Sequence, residues 1–305
     1  MFKHCSYTDA INISPGQSCL PCQLRHQPGA RSRNIISMSL YGDDPRYTIG
    51  AVRNAQRLPV VFPGWKLRFY YRDVLPQLLD RLRELGAELT DVKGLSGVPP
   101  MLWRMSALDD PLVDVLLSRD ADSRLTDRDA ADVNAWMMAS SRPSFHCIRD
   151  HPSHAAFAAN GGLWGARRRQ LVRLVSGQSI TALMANFGDN YLDDMKFLEQ
   201  HIWRPLSTQF QYEVYCHDSV SCDKWVGAHP SVTARQWPGE HVGQVFDAWS
   251  RPRQDDVDVL LRANCNAKCE SPEIQSNHVT VGHDKDETSV GPTVHNKICI
   301  NYRKP

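Results

Sequence analysis

The chain has 305 residues, 42% hydrophobic and 23% charged, with a formal net charge of +1. Such a length and apolar fraction suit one large globular domain, or two smaller ones, with a sizeable core. A charge so near zero, without a long polybasic arm, excludes a nucleic-acid partner chosen by bulk charge.

No apolar segment approaches the roughly 20 residues of a membrane helix. The N-terminal "MFKHCSYTDAINIS" lacks the basic-then-apolar layout of a signal peptide. The expectation is a soluble protein, of the cytoplasm or of the secretory-pathway lumen. Nine cysteines cannot form a complete internal set of disulfides. Cys19 with Cys22 and Cys265 with Cys269 read as reduced thiols, and Cys216 with Cys222 as a pair in an oxidising compartment.

The first 33 residues read as an irregular extension, with turn signals at Pro15-Gly16 and Pro28-Gly29. A catalytic-sized domain is expected over 34–253 and a poorly ordered tail over 254–305. "NIISMSLYG" predicts a strand ending at Gly42, followed by helical "YTIGAVRNAQRL". "KLRFYYRD" alternates as a second strand. Leu75, Leu78, Leu79, Leu82 and Leu85 fall at helical spacing, and Gly86 is a natural stop. "AELTDVK" predicts a third strand, "PPMLWRMSALDD" a helix and "VDVLLS" a fourth strand. Thr126 N-caps a helix whose apolar stripe is Ala130, Val133, Trp136 and Met137. "SFHCIRDH" and "QYEVYCHD" are later strands, and "NYLDDMKFLEQHIW" is helical. Strands and helices alternating at this interval predict an α/β fold with a mostly parallel central sheet flanked by helices.

Val113–Ser118 is apolar on both faces, as a central strand should be. Ligands of open α/β sheets sit at the carboxyl ends of the strands. That puts Asp120 and Asp122, one residue apart, at the ligand edge. Like charges so close raise each other's pKa unless a cation intervenes. Arg119 and Arg124 are one source of compensation. A divalent ion is the other, because Mg²⁺ and Mn²⁺ take carboxylate and phosphate oxygens. Other Asp-x-Asp pairs, such as Asp127/Asp129 and Asp256/Asp258, do not follow a buried-strand pattern.

Five blocks in order, "SMSLYGDDPRYTIGAVRNA", "PGWKLRFYYRD", "WRMSALDDPLVDVLLSRDADSRLTDRDAADVNAW", "FHCIRDHPSHAAFAANGGLWGARR" and "CHDSVSC", resemble glycosyltransferases of the GT-A type. The resemblance implies a GT-A-like Rossmann-type sandwich and a nucleotide-sugar donor. It makes Asp120 and Asp122 the metal-binding Asp-x-Asp motif, completed by His217, with Mn²⁺ or Mg²⁺ as cofactor. It assigns Tyr41, Gly42, Arg119 and Ser123 to the nucleotide-sugar pocket, and Gly161 and Gly162 to its sugar and acceptor side. Asp193 or Asp194 becomes the catalytic carboxylate, although this chain has "DDMKFL" where relatives carry Asp-Gln before the Phe-Leu pair.

These residues suit sugar transfer from a nucleoside diphosphate to a glycan or other hydroxyl acceptor. Arg68, Arg119 or Arg149 would meet the phosphates. The helical context of Asp193 and Asp194 leans toward retention of configuration. A nucleotidyltransferase would use the same carboxylates, but "YGDDPRY" is acidic where that enzyme wants a basic loop. A carbohydrate-binding or scaffold descendant of the fold is the non-catalytic alternative. Capping explains the two helix-opening acids equally, and Trp103 and Trp164 read as core aromatics as readily as sugar platforms.

Overall fold

A computed structural model of the chain describes residues 33–95, 97–174, 179–185, 187–207, 213–220 and 228–263. Cys19, Cys22, Cys222, Cys265 and Cys269 lie outside them. Its centre is an eight-stranded sheet in the order β3-β2-β1-β4-β6-β5-β7-β8. The strands are β1 (Arg33–Tyr41), β2 (Lys66–Arg72), β3 (Glu88–Asp91), β4 (Val113–Ser118), β5 (Phe145–Arg149), β6 (Trp164–Arg167), β7 (Val214–Asp218) and β8 (Ala228–His229). All pair in parallel except β6, which runs antiparallel between β4 and β5. The expected α/β architecture with a mostly parallel sheet is therefore the observed one.

Apolar residues alternate to both sides of the sheet, so each face needs a cover. On one face Ile36, Met38, Leu40, Val115 and Leu117 pack against α1 (Pro45–Val61), α2 (Pro76–Glu84) and α3 (Asp127–Met138). On the other, Ile35, Val113 and Leu116 pack beneath a 3₁₀ helix (Pro100–Asp109). α4 (Arg168–Leu174), α5 (Ile180–Met184), α6 (Asp193–Phe197) and α7 (Arg204–Ser207) extend that side. α6 passes through a π turn (Leu198–Trp203) directly into α7.

Local rules act where the sequence places them. The Thr126 hydroxyl accepts from the Asp129 amide and caps α3, while Ala130, Val133 and Trp136 are buried. Gly86 closes α2 at φ +82°, yet Leu75, at the N-cap, is 60% exposed. The segment from residue 254 does not begin as a loose tail. Gln254–Arg262 forms α8, because acids open it and Val257 and Leu260 sit on one buried face. Cys216 is bonded to Cys147 on the neighbouring strand, which overturns its pairing with Cys222. No helix among the described residues is long and apolar enough to cross a membrane.

Candidate active site

The carboxyl edge of the sheet gathers part of the expected constellation. β1 ends at Tyr41, followed by Gly42, and β4 runs out into Asp120–Asp122. Because β6 is antiparallel, the glycines before it reach the same edge. The Ser118 hydroxyl fixes them by donating to the Gly161 carbonyl at 2.6 Å.

A residue that the sequence reading missed organises this edge. Arg104 lies in the apolar 3₁₀ helix and is only 5% exposed. Its backbone is pinned to β1: the Ser37 hydroxyl donates to its carbonyl at 2.7 Å, and its amide donates to Ser39 Oγ at 3.2 Å. Its guanidinium bridges two carboxylates, with one Nη on Asp120 and the other 2.9 Å from Asp194 Oδ2. Its Nε has no hydrogen-bond partner among the described residues. Burial lowers the Arg104 pKa, but Asp120 and Asp194 outweigh it and the net direction is up.

The glycines admit these carboxylates. A Cβ on Gly161 would sit 1.9 Å from Asp194 Oδ2, and one on Gly162 would sit 1.8 Å from Asp120 Oδ2. No residue with a side chain fits at either position without moving a carboxylate.

Asp122 is treated differently. Arg46 Nε is its nearest cation, at 3.8 Å. Burial first and the charge of Asp120 second push its pKa up to about 6. Tyr47, held by Arg46 at 2.6 Å, is pushed to about 12 by burial and then by Asp122. Burial likewise raises Asp194, against the pull of Arg104. Two of the three carboxylates thus share the buried Arg104, and the third, Asp122, has Arg46 at 3.8 Å, with Arg124 and Arg253 acting on it from farther away. Asp122 and Asp120 offer hard-oxygen ligands, the donor set that Mg²⁺ or Mn²⁺ prefers, so the residues fit such an ion. Among the described residues no cluster of three or more His, Cys, Asp or Glu stands ready to hold one. A shell here would need substrate or water oxygens.

Several expected participants are elsewhere. Arg119 follows the strand's alternation away from Asp120. It forks onto Asp129 at 2.9 and 2.7 Å and donates to the Ser118 and Trp164 carbonyls. Arg124 donates to backbone carbonyls and stacks over Phe246. Neither flanking arginine forms an ion pair with Asp120 or Asp122, although the charge of Asp122 acts on Arg124. Arg68, near the start of β2, is engaged by Glu88 and Asp110. Arg149 pairs with Asp218 and donates to the Ala158 carbonyl.

His217 does not join the aspartates. It lies within β7, and strands are about 4.8 Å apart, so three spacings put β7 roughly 14 Å from β4. Its Nδ1 is 3.1 Å from His146 Nε2, and its Nε2 is 3.6 Å from Asp132. Burial lowers its pKa to about 3. Asp193 is folded into the start of α6, accepting from the Asn190 amide at 2.9 Å and from Lys196 Nζ at 2.7 Å. Of the two acids, Asp194 faces the site.

Ser123 shapes the loop, donating to the Asp120 carbonyl at 2.9 Å. Tyr41 is 43% exposed and meets the buried Trp103 edge-on at 5.7 Å. Gly42 adopts φ +69°, a turn that favours glycine. Trp164 is buried and stacks on Phe145.

No family model matches the chain, and no curated protein sequence matches it. Among solved structures, it is similar to glucosyl-3-phosphoglycerate synthase from Mycobacterium tuberculosis. The identity is 13% and the TM-score 0.40, over 79% of this chain and 83% of that one. The same synthase in complex with Mg²⁺ and uridine diphosphate gives 14% identity and a TM-score of 0.38, over 60% and 68%. The apo glycosyltransferase GlyE of Streptococcus pneumoniae TIGR4 gives 14% and 0.37, over 60% of this chain and 45% of that one.

Proposed function

We propose that the chain is a metal-dependent glycosyltransferase, moving a sugar from a nucleoside diphosphate sugar to a hydroxyl acceptor. The observation that supports it is the unequal compensation of three carboxylates beside two bare glycines. Arg104 pairs directly with Asp120 and Asp194, while the ion-pair partner of Asp122 is the more distant Arg46, at 3.8 Å. That leaves a standing demand for a hard cation at the carboxyl edge of the sheet.

Asp120 and Asp122 would hold Mg²⁺ or Mn²⁺. The ion, when bound, offsets the charge that develops on a departing diphosphate. The chain's own groups do the rest. Tyr41 and Gly42 border the nucleotide, and Ser123 keeps the Asp-x-Asp loop in shape. Arg46 and Arg72, both partly exposed at the rim, take the phosphate-facing role first expected of Arg68, Arg119 and Arg149. Gly161 and Gly162 allow a sugar to approach the backbone. Asp194, raised in proton affinity by burial and oriented by Arg104, accepts the acceptor hydroxyl's proton or stabilises positive charge at the anomeric carbon. Retention of configuration stays the preferred outcome, and the anomeric proton coupling of the product reads it.

The ion pair between Arg104 and Asp120 favours one second reading, a non-catalytic carbohydrate-binding descendant in which the guanidinium stands where an ion would. One experiment separates them. Thermal unfolding is followed with UDP or GDP, with and without Mn²⁺, in the native chain and in Asp122→Asn. A nucleotide shift that requires Mn²⁺ and is lost in the variant supports the transferase. Shifts with no nucleotide at all remove it.

A further inference from the structure

The most exposed tryptophan among the described residues is held with unusual care beside this site. Trp249 is 76% exposed, although burial of an indole is strongly favourable. It sits on a turn closed from both sides by Asp247. The Asp247 amide donates to the Arg251 carbonyl at 2.9 Å, and the Ser250 amide donates to the Asp247 carbonyl at 3.0 Å. The Asp247 carboxylate accepts from the Trp249 amide, the Arg251 amide and Arg251 Nε at 2.8, 2.9 and 2.8 Å. Ser250 adopts φ +61°, a left-handed conformation costly for a residue with a side chain. Arg251 lies over the indole at 4.9 Å. A rigid, strained turn thus presents an aromatic ring to solvent.

The turn is built onto the Asp-x-Asp loop. The Phe246 amide donates to the Asp122 carbonyl at 3.0 Å, and Phe246 pairs with Pro252 across the hairpin. Arg124, from the same loop, stacks over the Phe246 ring at 4.8 Å. Three residues of chain span at most about 11 Å, so Trp249 stays close to Asp122.

Trp249 also borders a groove of about 500 Å³ between α1 and α2, within the usual size of small-ligand sites. Val52, Leu75 and Leu78 supply apolar wall, and Asp43, Arg53 and Gln56 supply hydrogen-bonding groups. Asp43, in its lining, directly follows Gly42 at the end of β1. A flat aromatic face beside planar polar side chains matches one chemistry in particular. A pyranose ring has an apolar C–H face and equatorial hydroxyls that both donate and accept.

We infer that Trp249 and this groove form a docking subsite for a pyranose unit of a carbohydrate acceptor. The inference rests on the transferase reading of the adjoining site, and it names the acceptor class: a glycan rather than a small alcohol or a protein hydroxyl. Trp249 positions the acceptor chain and takes no part in bond making.

The test uses the full chain on immobilised gluco-, manno-, galacto- and N-acetylglucosamine hexasaccharides. Retention on at least one of them is expected. It should fall at least tenfold in Trp249→Ala and partly recover in Trp249→Phe. Melting temperatures of both variants check folding, and the exposure of the ring predicts little change. Failure of the native chain to bind any of the four overturns the subsite, as does binding by Trp249→Ala within twofold of the native level. A concentration-dependent dimer lost in Trp249→Ala, without glycan binding, would make the groove a self-association surface instead. The Mn²⁺-dependent nucleotide shift is measured on the native chain in parallel. A persistent shift without glycan binding sinks the subsite alone. Trp249-dependent glycan binding without any nucleotide shift sinks the transferase and leaves a glycan-binding site that serves no acceptor.

Discussion

Replacing Arg104 with glutamine tests the electrostatics of the site most directly. The change removes the cation that Asp120 and Asp194 share. The two pairs contribute unequally. Arg104 and Asp194 are 6% and 8% exposed at the side chain, and breaking so buried a pair costs about 3–5 kcal/mol. Asp120 is 45% exposed at the side chain, so solvent screening leaves its pair about 0–1 kcal/mol. The sum, about 4 kcal/mol, should lower the melting temperature by roughly 8–16 °C for a domain of this size. Mn²⁺ should then recover more stability in the variant than in the native chain, because Asp120 and Asp194 have lost the guanidinium they shared. At a hundredfold excess over its dissociation constant an ion returns about 2.7 kcal/mol. Scanning fluorimetry and urea titration, each with and without Mn²⁺, read both effects. A variant as stable as the native chain would show that Asp194 is not held by Arg104. A destabilised variant that gains nothing from Mn²⁺ would show that the carboxylates do not serve an ion.

Asp122→Asn should abolish Mn²⁺-dependent donor hydrolysis while leaving the melting temperature unchanged or slightly higher, since burial and Asp120 already disfavour its charge; unfolding of this variant would make Asp122 structural. Gly162→Ala should swing the Asp120 carboxylate off Arg104, as a Cβ there meets Oδ2 at 1.8 Å; turnover should fall by about 10²-fold, the usual effect of misplacing a reacting group, and activity at the native level would refute the crowding. Asp132, fully buried, is raised to about 7 by desolvation, so its folded form binds the proton more tightly than the unfolded chain does. The stability from that protonation is complete below the unfolded value and fades as pH climbs through 7. Asp132→Asn should therefore gain on the native chain at pH 8 relative to pH 4, in urea titrations at the two pH values; an equal difference at both would remove the titration. Reducing Cys147–Cys216, which spans 69 residues, should cost about 4 kcal/mol, and both thiols should resist alkylation until a reductant is added.

Much of this arrangement follows from local sequence, and the remainder has a common cause. Val113–Ser118 is apolar on both faces, which marks a central strand, and the ligand edge follows from that alone. What local pattern does not carry is the lateral order of strands. "WGARRR" reads as a glycine and a basic run, yet Trp164–Arg167 is the antiparallel strand inserted between β4 and β5. That insertion brings Gly161 and Gly162 to the aspartates and pushes His217 out of reach. Gly165 shows how tight the insertion is, since a Cβ there would come within 2.5 Å of the Leu117 side chain. The order of strands therefore decides which late residues meet the Asp-x-Asp loop.

Direction of side chains explains the other differences. Arg119 precedes Asp120 directly, but consecutive residues on an extended exit face opposite ways, so adjacency in sequence separates them in space. Consecutive helical residues lie about 100° apart, so only one of Asp193 and Asp194 can face the site. Arg104 carried a signal of its own: a guanidinium amid "MLWRMSAL", where every neighbour within three positions except Ser106 is apolar. Arginine is almost never fully buried without a partner, so such a residue demands carboxylates from elsewhere in the fold. Asp120, sixteen residues on, and Asp194, ninety on, meet that demand. Because Arg104 is also pinned to β1 through Ser37 and Ser39, it ties the first strand, the Asp-x-Asp loop and α6 into one rigid unit. The acid that faces the site is thereby set by the same group that pairs with Asp120.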